Sequence, residues 1–241
     1  MRRAIALLTP VDELNNTMLK GMGTRQSSFI QQVFKKYYNT GLPLLPFDVE
    51  QAKKMLDEAG WVDTDGDNIR DKIIDGKKTP LSFHLTYSGT QTNKDMALIV
   101  KDAMYKAGVE VIPDPVDQTE LQKKTSSHDF DMSFGAASGG SVPDDPAQFL
   151  GSYNWANNGS NYTGFGNAES DKIIDESNKT MDEGKRIELF KKLQAIVYEE
   201  QPYIFLYAIK RKIAISKKFE TPGMYSERPG VMLNNLKLNK K

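Results

Sequence analysis

Residues 47–71, FDVEQAKKMLDEAGWVDTDGDNIRD, join an amphipathic helix to an aspartate-rich loop. Asp48 is predicted to cap the helix N-terminus, and Gln51, three residues later, is expected to complete a capping box. Gly60 supplies the left-handed residue that ends such a helix. Between these signals, apolar residues recur at helical spacing: Val49, Ala52, Met55 and Leu56. The stretch therefore predicts a capped helix that stops just before Trp61.

Four aspartates follow Trp61 at positions 1, 3, 5 and 9 of a predicted cation loop: Asp63, Asp65, Asp67 and Asp71. Alternate carboxylates on a tight turn can converge their oxygens on a hard cation such as calcium. The pattern departs from an EF-hand, because Asn68 replaces the usual glycine and Ile74 stands where a bidentate glutamate is needed. Two interpretations stay open: a turn braced by a structural calcium ion, with no other cofactor required, or a polar turn between a helix and a strand.

The composition excludes several classes of function. The 241 residues include 32 basic and 32 acidic side chains, so no net field favours nucleic acid or an anionic membrane. The absence of cysteine excludes thiol catalysis, disulfides and cysteine zinc sites, and fits a protein that matures outside the cytosol. The apolar run AIALL at 4–8 is too short for a signal-peptide core or a membrane span. We therefore expect a chain cut from a longer protein, without its leader.

Strand-like and helix-like patterns alternate along the chain, which indicates an α/β fold. Residues 80–87 alternate apolar and polar side chains, so one set is expected to face inward: Leu81, Phe83, Leu85 and Tyr87. Further strands are predicted at 109–112, 130–134, 203–207 and 213–215, and further helices at 2–8, 92–107 and 183–199. Residues 22–46 are predicted to be irregular.

Three other helix starts carry capping signals. Thr9 followed by Pro10 predicts an N-cap and a first helical residue, for a helix that ends near Gly21. Asp117 and Asn167 are each expected to cap a later helix. These signals set the boundaries of elements whose interior periodicity is weak.

No catalytic constellation is found in the sequence. The two histidines, His84 and His128, lie on a predicted strand and in a loop without a neighbouring histidine, so neither is expected to bind metal or act as a base. The motifs GxSxG, GxxxxGK[ST] and HExxH do not occur. The chain is therefore interpreted as a non-enzyme.

Two polar, glycine-rich loops, 135–145 and 152–167, combine aromatic surface with hydrogen-bonding side chains. Ligands of open α/β folds gather in loops beyond the carboxyl ends of strands, and this composition is typical of a recognition pocket. The predicted ligand-binding residues are Gly139, Gly140, Ser141, Asp144, Asp145, Trp155, Asn161 and Tyr162. The alternative is an ordered surface loop that packs its own aromatic side chains.

Three blocks resemble the extracellular solute-binding proteins of the peptide/nickel type, the oligopeptide-binding family that serves ABC importers. The first is RRAIALLTPVDELNNTMLKGMGT at 2–24, and the second is the stretch 47–71 with its Ala-Gly-Trp ending. The third runs from FDMSFGAASGGSVPDDPAQFL through NYTGFGNAESDKIIDE to KRIELFKKLQAIVYEEQPYIFLY. The resemblance covers nearly the whole chain.

The resemblance implies a lobe of type II periplasmic-binding-protein fold, a mixed sheet flanked by helices, from a two-lobed protein. Residues 1–200 would form the second ligand-binding lobe, and 201–241 would be strands that return to complete the first. The expected function is capture of a peptide or other small solute between the lobes. The expected protein is a monomer that delivers solute to a membrane permease, either periplasmic or lipid-anchored at the cell surface as a lipoprotein.

One position departs from the pattern of peptide-binding members. These members often place an aspartate four residues before the proline of the Asp-Pro motif, where it pairs with the ligand's α-amine, and that position here is Val142. A buried valine cannot neutralise an ammonium group. Either Asp144 or Asp145 takes over this role, or the solute is not held by a free amine.

Two further functions stand as alternatives to solute import. One is a calcium-binding structural module built around the aspartate loop at 63–71. The other is a ligand-sensing regulatory domain of the same fold.

Overall fold

Helices and short strands alternate along residues 1–136, 145–156, 159–210, 214–220, 222–223 and 231–239, which the computed structural model describes. The helices are α1 Arg2–Leu7, α2 Val11–Leu19, α3 Val49–Glu58, α4 Gln91–Tyr105, α5 Gln118–Ser126, α6 Ala147–Leu150, α7 Ala168–Lys179 and α8 Glu183–Glu200. The strands are β1 Gly23–Arg25, β2 Asp71–Ile74, β3 Lys77–Pro80, β4 Ser82–Ser88, β5 Glu110–Val116, β6 Met132–Ser133 and β7 Tyr207–Ile209. Short 3₁₀ helices cover Ser152–Asn154 and Leu233–Asn235. The predicted α/β class is confirmed.

Within the described ranges, the strands form one parallel sheet and two antiparallel pairs. In the parallel sheet, β4 lies between β5 and β6, and Leu85 stands opposite both Pro113 and Met132. The pairs are the hairpin β2–β3 and the long-range pair β1–β7, in which Thr24 lies opposite Ala208. Helix α4 connects the parallel strands β4 and β5, because parallel neighbours need a long crossover connection rather than a tight turn.

The main core lies where α1, α3 and α4 pack with β4 and β5. As predicted from the alternation, Leu81, Leu85 and Tyr87 are buried, and Phe83 packs partly buried against the same cluster. Helix α4 contributes its buried face through Met96, Ala97, Val100 and Met104. The hydrophobic effect of this burial fixes the register of β4, because a one-residue slip would turn the apolar set toward solvent.

Most predicted helix boundaries are confirmed by their caps. The Asp48 carboxylate accepts a hydrogen bond from the Gln51 amide at 2.9 Å, and Gly60 has a φ of +79° after the helix. Asp117 accepts from the Glu120 amide at 2.8 Å. Asn167 accepts from two amides, and the Ser170 hydroxyl accepts from the Asn167 amide, so this cap is a capping box.

Two predicted capping details are wrong. Gln51 does not complete a box with Asp48, because the Asp48 amide donates instead to the Leu7 carbonyl at 3.0 Å and so ties α3 to α1. Thr9 does not cap α2, which begins at Val11 after Pro10. The Thr9 hydroxyl donates to the Ile5 carbonyl at 3.0 Å, so it belongs to the end of α1.

The C-terminal strands differ most from the sequence prediction. Of the predicted strand 203–207, only Tyr207 is in a strand, β7, which continues to Ile209. At 213–215, Ile213 lies outside the described residues, and Ala214 and Ile215 are not in a strand. Strand β1 lies in a segment predicted to be irregular, because its three residues are held by pairing with β7 and carry no periodicity.

A buried glutamine on α8 connects that helix to the segment 27–39. Gln194 accepts hydrogen bonds from the Ser28 hydroxyl and the Asn39 amide, both at 3.0 Å. Its amide donates to the Tyr37 carbonyl at 2.8 Å and to the Phe190 carbonyl at 3.0 Å. Every hydrogen-bonding atom of this buried side chain therefore has a partner, and an irregular segment is fastened to the helix.

Candidate functional site

The predicted ligand loops meet the described structure around α6, the 3₁₀ helix Ser152–Asn154 and the segment 159–167. Four of the predicted residues lie outside the described residues: Gly139, Gly140, Ser141 and Asp144. The other four, Asp145, Trp155, Asn161 and Tyr162, lie in this region. None of these assignments as ligand contacts is tested by the structure, and they stay predictions.

The Asn161 side chain links the segment at Gly151 to the segment at Phe165. Its side chain is 0% exposed, and its Nδ2 donates to the Gly151 carbonyl at 2.9 Å and to the Phe165 carbonyl at 2.7 Å. Phe165 is itself buried in a second core formed with α6, α7 and α8. Both amide hydrogens of Asn161 are therefore used to hold segments of the protein together.

Asp171 holds the same region from α7. Its Oδ1 accepts from the Ser152 amide at 2.8 Å, and its other carboxylate oxygen accepts from the Ser152 hydroxyl. Asp171 lies in the first turn of α7, where a carboxylate also interacts favourably with the helix dipole. The site prediction omitted Asp171, whose position in the first turn after a capping asparagine was the available signal.

Residues 149–155, which Asn161 and Asp171 hold through hydrogen bonds, carry three exposed aromatic side chains: Phe149, Tyr153 and Trp155. We call residues 149–155 the aromatic segment. Trp155 remains 41% exposed although its neighbours are fastened to the core. Partial desolvation by the surrounding protein, together with the nearby carboxylates of Asp175 and Asp145, raises the pKa of the Tyr153 phenol. Exposed aromatic surface on an immobilised segment is suited to recognising a solute.

Asp145 and Tyr162 flank the aromatic segment. Asp145 Oδ1 accepts from the Ala147 amide at 2.9 Å and from the Asn178 side chain at 2.7 Å, so it anchors the start of α6 and links it to α7. Tyr162 is half-buried next to the fully buried Asn161. Asp145 thus has an established structural contact in addition to the ligand contact predicted for it.

The aspartate loop is a separate cluster, closed by the paired backbones of Val62 and Asp71. Asp63, Asp65 and Asp71 can each present a carboxylate oxygen within 4.8 Å of the others, and Asp67 is not part of this group. Asp67 accepts from the Ile69 amide instead, at 2.7 Å.

A lysine already supplies positive charge to the aspartate loop. Lys78 Nζ contacts the Asp65 carboxylate and lies 3.2 Å from Asp71 Oδ2. The hydrogen bond from Lys78 lowers the pKa of Asp65, and that bond in turn raises the pKa of Lys78. Burial raises the pKa of Asp71, but hydrogen bonds from Thr64 and Lys78 outweigh burial and lower it. A calcium ion at this loop would have to displace an ammonium group, and the calcium site stays a prediction.

The sequence of residues 1–161 matches the family described as bacterial extracellular solute-binding proteins, family 5, middle region. The chain belongs to this family. The membership agrees with the resemblance carried by the blocks at 2–24, 47–71 and 130–150. Members of family 5 are binding proteins rather than enzymes.

Relatives of this family 5 chain are named for different solutes. It is 34% identical over 182 residues to the oligopeptide-binding protein AppA of Bacillus subtilis, covering 74% of this chain and 32% of that protein. It is 30% identical over 172 residues to the nickel-binding periplasmic protein of Escherichia coli, covering 70% of this chain and 32% of that protein. The family framework is therefore shared by proteins named for chemically unlike ligands.

Two solved structures superpose on nearly the whole of this chain. The structure of AppA from Bacillus subtilis in complex with a nonapeptide superposes with a TM-score of 0.84 at 28% identity, covering 99% of this chain and 47% of that one. NikA from Brucella suis in complex with Fe(III)-EDTA superposes with a TM-score of 0.79 at 26% identity, again covering 99% and 47%. The family 5 chain thus spans about half of these solved chains and about a third of the curated relatives' length. In the part of the chain that the structure describes, no helix combines the length and apolar character needed to cross a bilayer.

Proposed function

We propose that this chain is the second lobe of an extracellular solute-binding protein of an ABC importer, and that the solute is an oligopeptide. The observation that carries the proposal is the aromatic segment, which keeps Trp155 exposed while Asn161 and Asp171 fasten its surroundings. Such a surface offers flat apolar area at a low conformational-entropy cost on binding. The identity with AppA, a protein named as oligopeptide-binding, supports the choice of a peptide.

The pairing of β1 with β7 brings residues that follow α8 back to the beginning of the chain. After α8 the chain passes through residues 201–206 and returns to pair with a strand near its own beginning, at Gly23–Arg25. We infer that residues from 201 onward lead toward the first lobe, and that 1–200 form the second. Closure of the two lobes would trap the solute. The remaining partner is a membrane permease, and the protein acts as a monomer without catalysis, in the periplasm or lipid-anchored at the cell surface.

A peptide amine cannot be paired at position 142, where this chain has valine in place of the aspartate often found in peptide-binding members. Asp145 holds the start of α6 through the Ala147 amide and reaches Asn178 on α7. Its use as the amine partner would weaken both contacts. We therefore propose that Asp144 pairs with a peptide amine, and that Gly139, Gly140, Ser141 and Tyr162 contact the peptide backbone. Asn161 is proposed to act only by bracing the loop.

Replacing Trp155 with alanine is expected to weaken peptide affinity of the full-length two-lobed protein about ten-fold, because truncating a central aromatic contact typically costs more than about 1 kcal/mol. Calorimetric titration with a nonapeptide of mixed sequence measures the dissociation constant. Thermal unfolding of the same variant is expected to stay close to that of the parent, since Trp155 is 41% exposed.

The chain's other tryptophan provides the matched control. Trp61 packs against the main core and is not part of the aromatic segment. Trp61→Phe is therefore expected to leave the peptide affinity unchanged. Equal affinity of the parent and Trp155→Ala would remove Trp155 from the site. No binding of the nonapeptide by the parent would count against a peptide as the solute.

A further inference from the structure

His128 stacks on the indole of Trp155. The two ring centroids are 3.6 Å apart, and the ring planes differ by 16°. His128 lies in the turn between α5 and β6, whereas Trp155 follows the 3₁₀ helix Ser152–Asn154, so the contact joins segments 27 residues apart. The stack connects the parallel sheet to the aromatic segment.

A hydrogen bond holds the backbone of the same tryptophan. His128 Nε2 lies 2.8 Å from the Trp155 carbonyl oxygen. A carbonyl oxygen can only accept, so Nε2 carries a proton and donates it in this contact. His128 therefore fixes both the side chain and the main chain of Trp155.

His128 ends α5 and keeps one buried ring nitrogen without a partner among the described residues. The φ of +59° at His128 belongs to the end of α5, where the His128 amide donates to the Thr125 carbonyl and the Asp129 amide donates to the Lys124 carbonyl, the pattern that closes a helix. Its Nδ1 is buried without a hydrogen-bond partner among the described residues, which is unfavourable. An unsatisfied buried nitrogen persists only where other contacts overcome its cost, and this ring stacks on the Trp155 indole and bonds to the Trp155 carbonyl.

Gly164 lies close to the indole of Trp155. Its φ is +62°, and a Cβ placed on it would lie 3.1 Å from Trp155 Cζ3. A side chain at position 164 would therefore push the six-membered ring of the indole. Trp155 is held by His128 and approached closely by a residue that has no side chain, although 41% of it remains exposed.

We propose that His128 is a positioning residue that presets Trp155 for contact with the solute. This inference rests on the function proposed above, and it adds a residue on a different element from the predicted ligand loops. A free tryptophan would lose side-chain freedom when a ligand bound it. Because His128 has already removed that freedom, the exposed part of the indole is ready for an apolar group of the peptide.

Two substitutions separate the functions of the imidazole. His128→Asn removes the stacked ring and retains a residue type that tolerates the left-handed backbone. His128→Phe retains a ring for stacking but removes the donor to the Trp155 carbonyl. Proton NMR of the chain without ligand reports the stack directly, because ring protons facing an indole are shifted upfield. We expect this shift in the imidazole ring of the wild-type chain and in the phenyl ring introduced by His128→Phe.

Affinity for the mixed-sequence nonapeptide is then measured in the full-length protein. We expect His128→Asn to bind about 3- to 10-fold more weakly, the range set by ordering one large side chain, and His128→Phe to recover part of the loss. Thermal unfolding establishes that both variants are folded. If a variant is unfolded, Gly164→Ala tests the same positioning by displacing the indole while leaving His128 intact.

The outcomes distinguish this inference from the proposed function. If the parent binds the nonapeptide and folded His128→Asn binds it equally well, the positioning role is overturned. Absence of the upfield shift in the wild-type chain would also overturn it, whatever the solute. If the shift is present and the parent binds no peptide, the proposed peptide function fails, and the solute that Trp155 is preset to meet is not a peptide.

Discussion

Replacing Asn161 with aspartate is expected to lower the free energy of unfolding by about 3–5 kcal/mol at neutral pH. The substitution conserves shape but removes the two hydrogens that Asn161 donates to the Gly151 and Phe165 carbonyl oxygens. It also places a negative charge against those oxygens at a position that is 0% exposed. Chemical denaturation followed by circular dichroism measures the difference.

The pH dependence of the same variant provides an internal check. Burial raises the pKa of a carboxyl group in the folded state above its value in the unfolded chain. The resulting destabilisation is complete above the folded pKa and shrinks as the pH falls toward the unfolded pKa, where the neutral acid regains one donor. The control is Asn16→Asp, the same change on the exposed surface of α2, which is expected to have little effect. An equally mild effect at Asn161 would contradict its bracing role.

Replacing Gln194 with leucine is expected to cost about 2–4 kcal/mol of stability. The volume is similar, but the Tyr37 carbonyl and the Asn39 amide lose the partners that Gln194 provides at 2.8 and 3.0 Å. The Ser28 hydroxyl loses its acceptor as well. Removing one side of a hydrogen-bond network leaves desolvated polar groups without compensation, which the added apolar contact does not offset.

Hydrogen exchange locates the effect of Gln194→Leu. We expect faster exchange of amides in residues 27–39, because this irregular segment is fastened to α8 through Gln194. The matched control is Gln122→Leu on the exposed surface of α5, for which exchange in 27–39 is expected to be unchanged. Unaltered stability and exchange in Gln194→Leu would show that other contacts hold the segment.

Local sequence signals predicted the helices well. Asp48, Asp117 and Asn167 each cap a helix as expected, because a cap depends on residues only two or three positions apart. The alternation at 80–87 likewise identified the buried face of β4, since one side of that strand meets the core.

Those local signals could not predict pairing between strands that are distant in sequence. Strand β1 and the true position of β7 each depend on a partner more than 180 residues away, and such three-residue segments carry no pattern of their own. The Thr9 prediction failed for a local reason, because its hydroxyl bonds back to the Ile5 carbonyl rather than forward to an amide of α2.

The site was predicted only as a region. Composition identified residues 152–167 as polar and aromatic, but it could not separate a buried brace such as Asn161 from an exposed contact such as Trp155. That difference arises from packing against Phe165 and α7. His128 was set aside because it lacks a metal-binding or catalytic partner, and its partner is an aromatic ring distant in sequence. Asp171 likewise makes its contact across 19 residues.

We propose that this chain belongs to a lobe that captures oligopeptides, and the solute bound by the full-length protein decides the matter. Mass spectrometry of the full-length protein, purified under native conditions and then unfolded to release its solute, tests the claim most directly. We expect a mixture of short peptides, present in the parent and reduced in Trp155→Ala. Release of a metal complex or another non-peptide solute from the parent, with no peptide present, would contradict it.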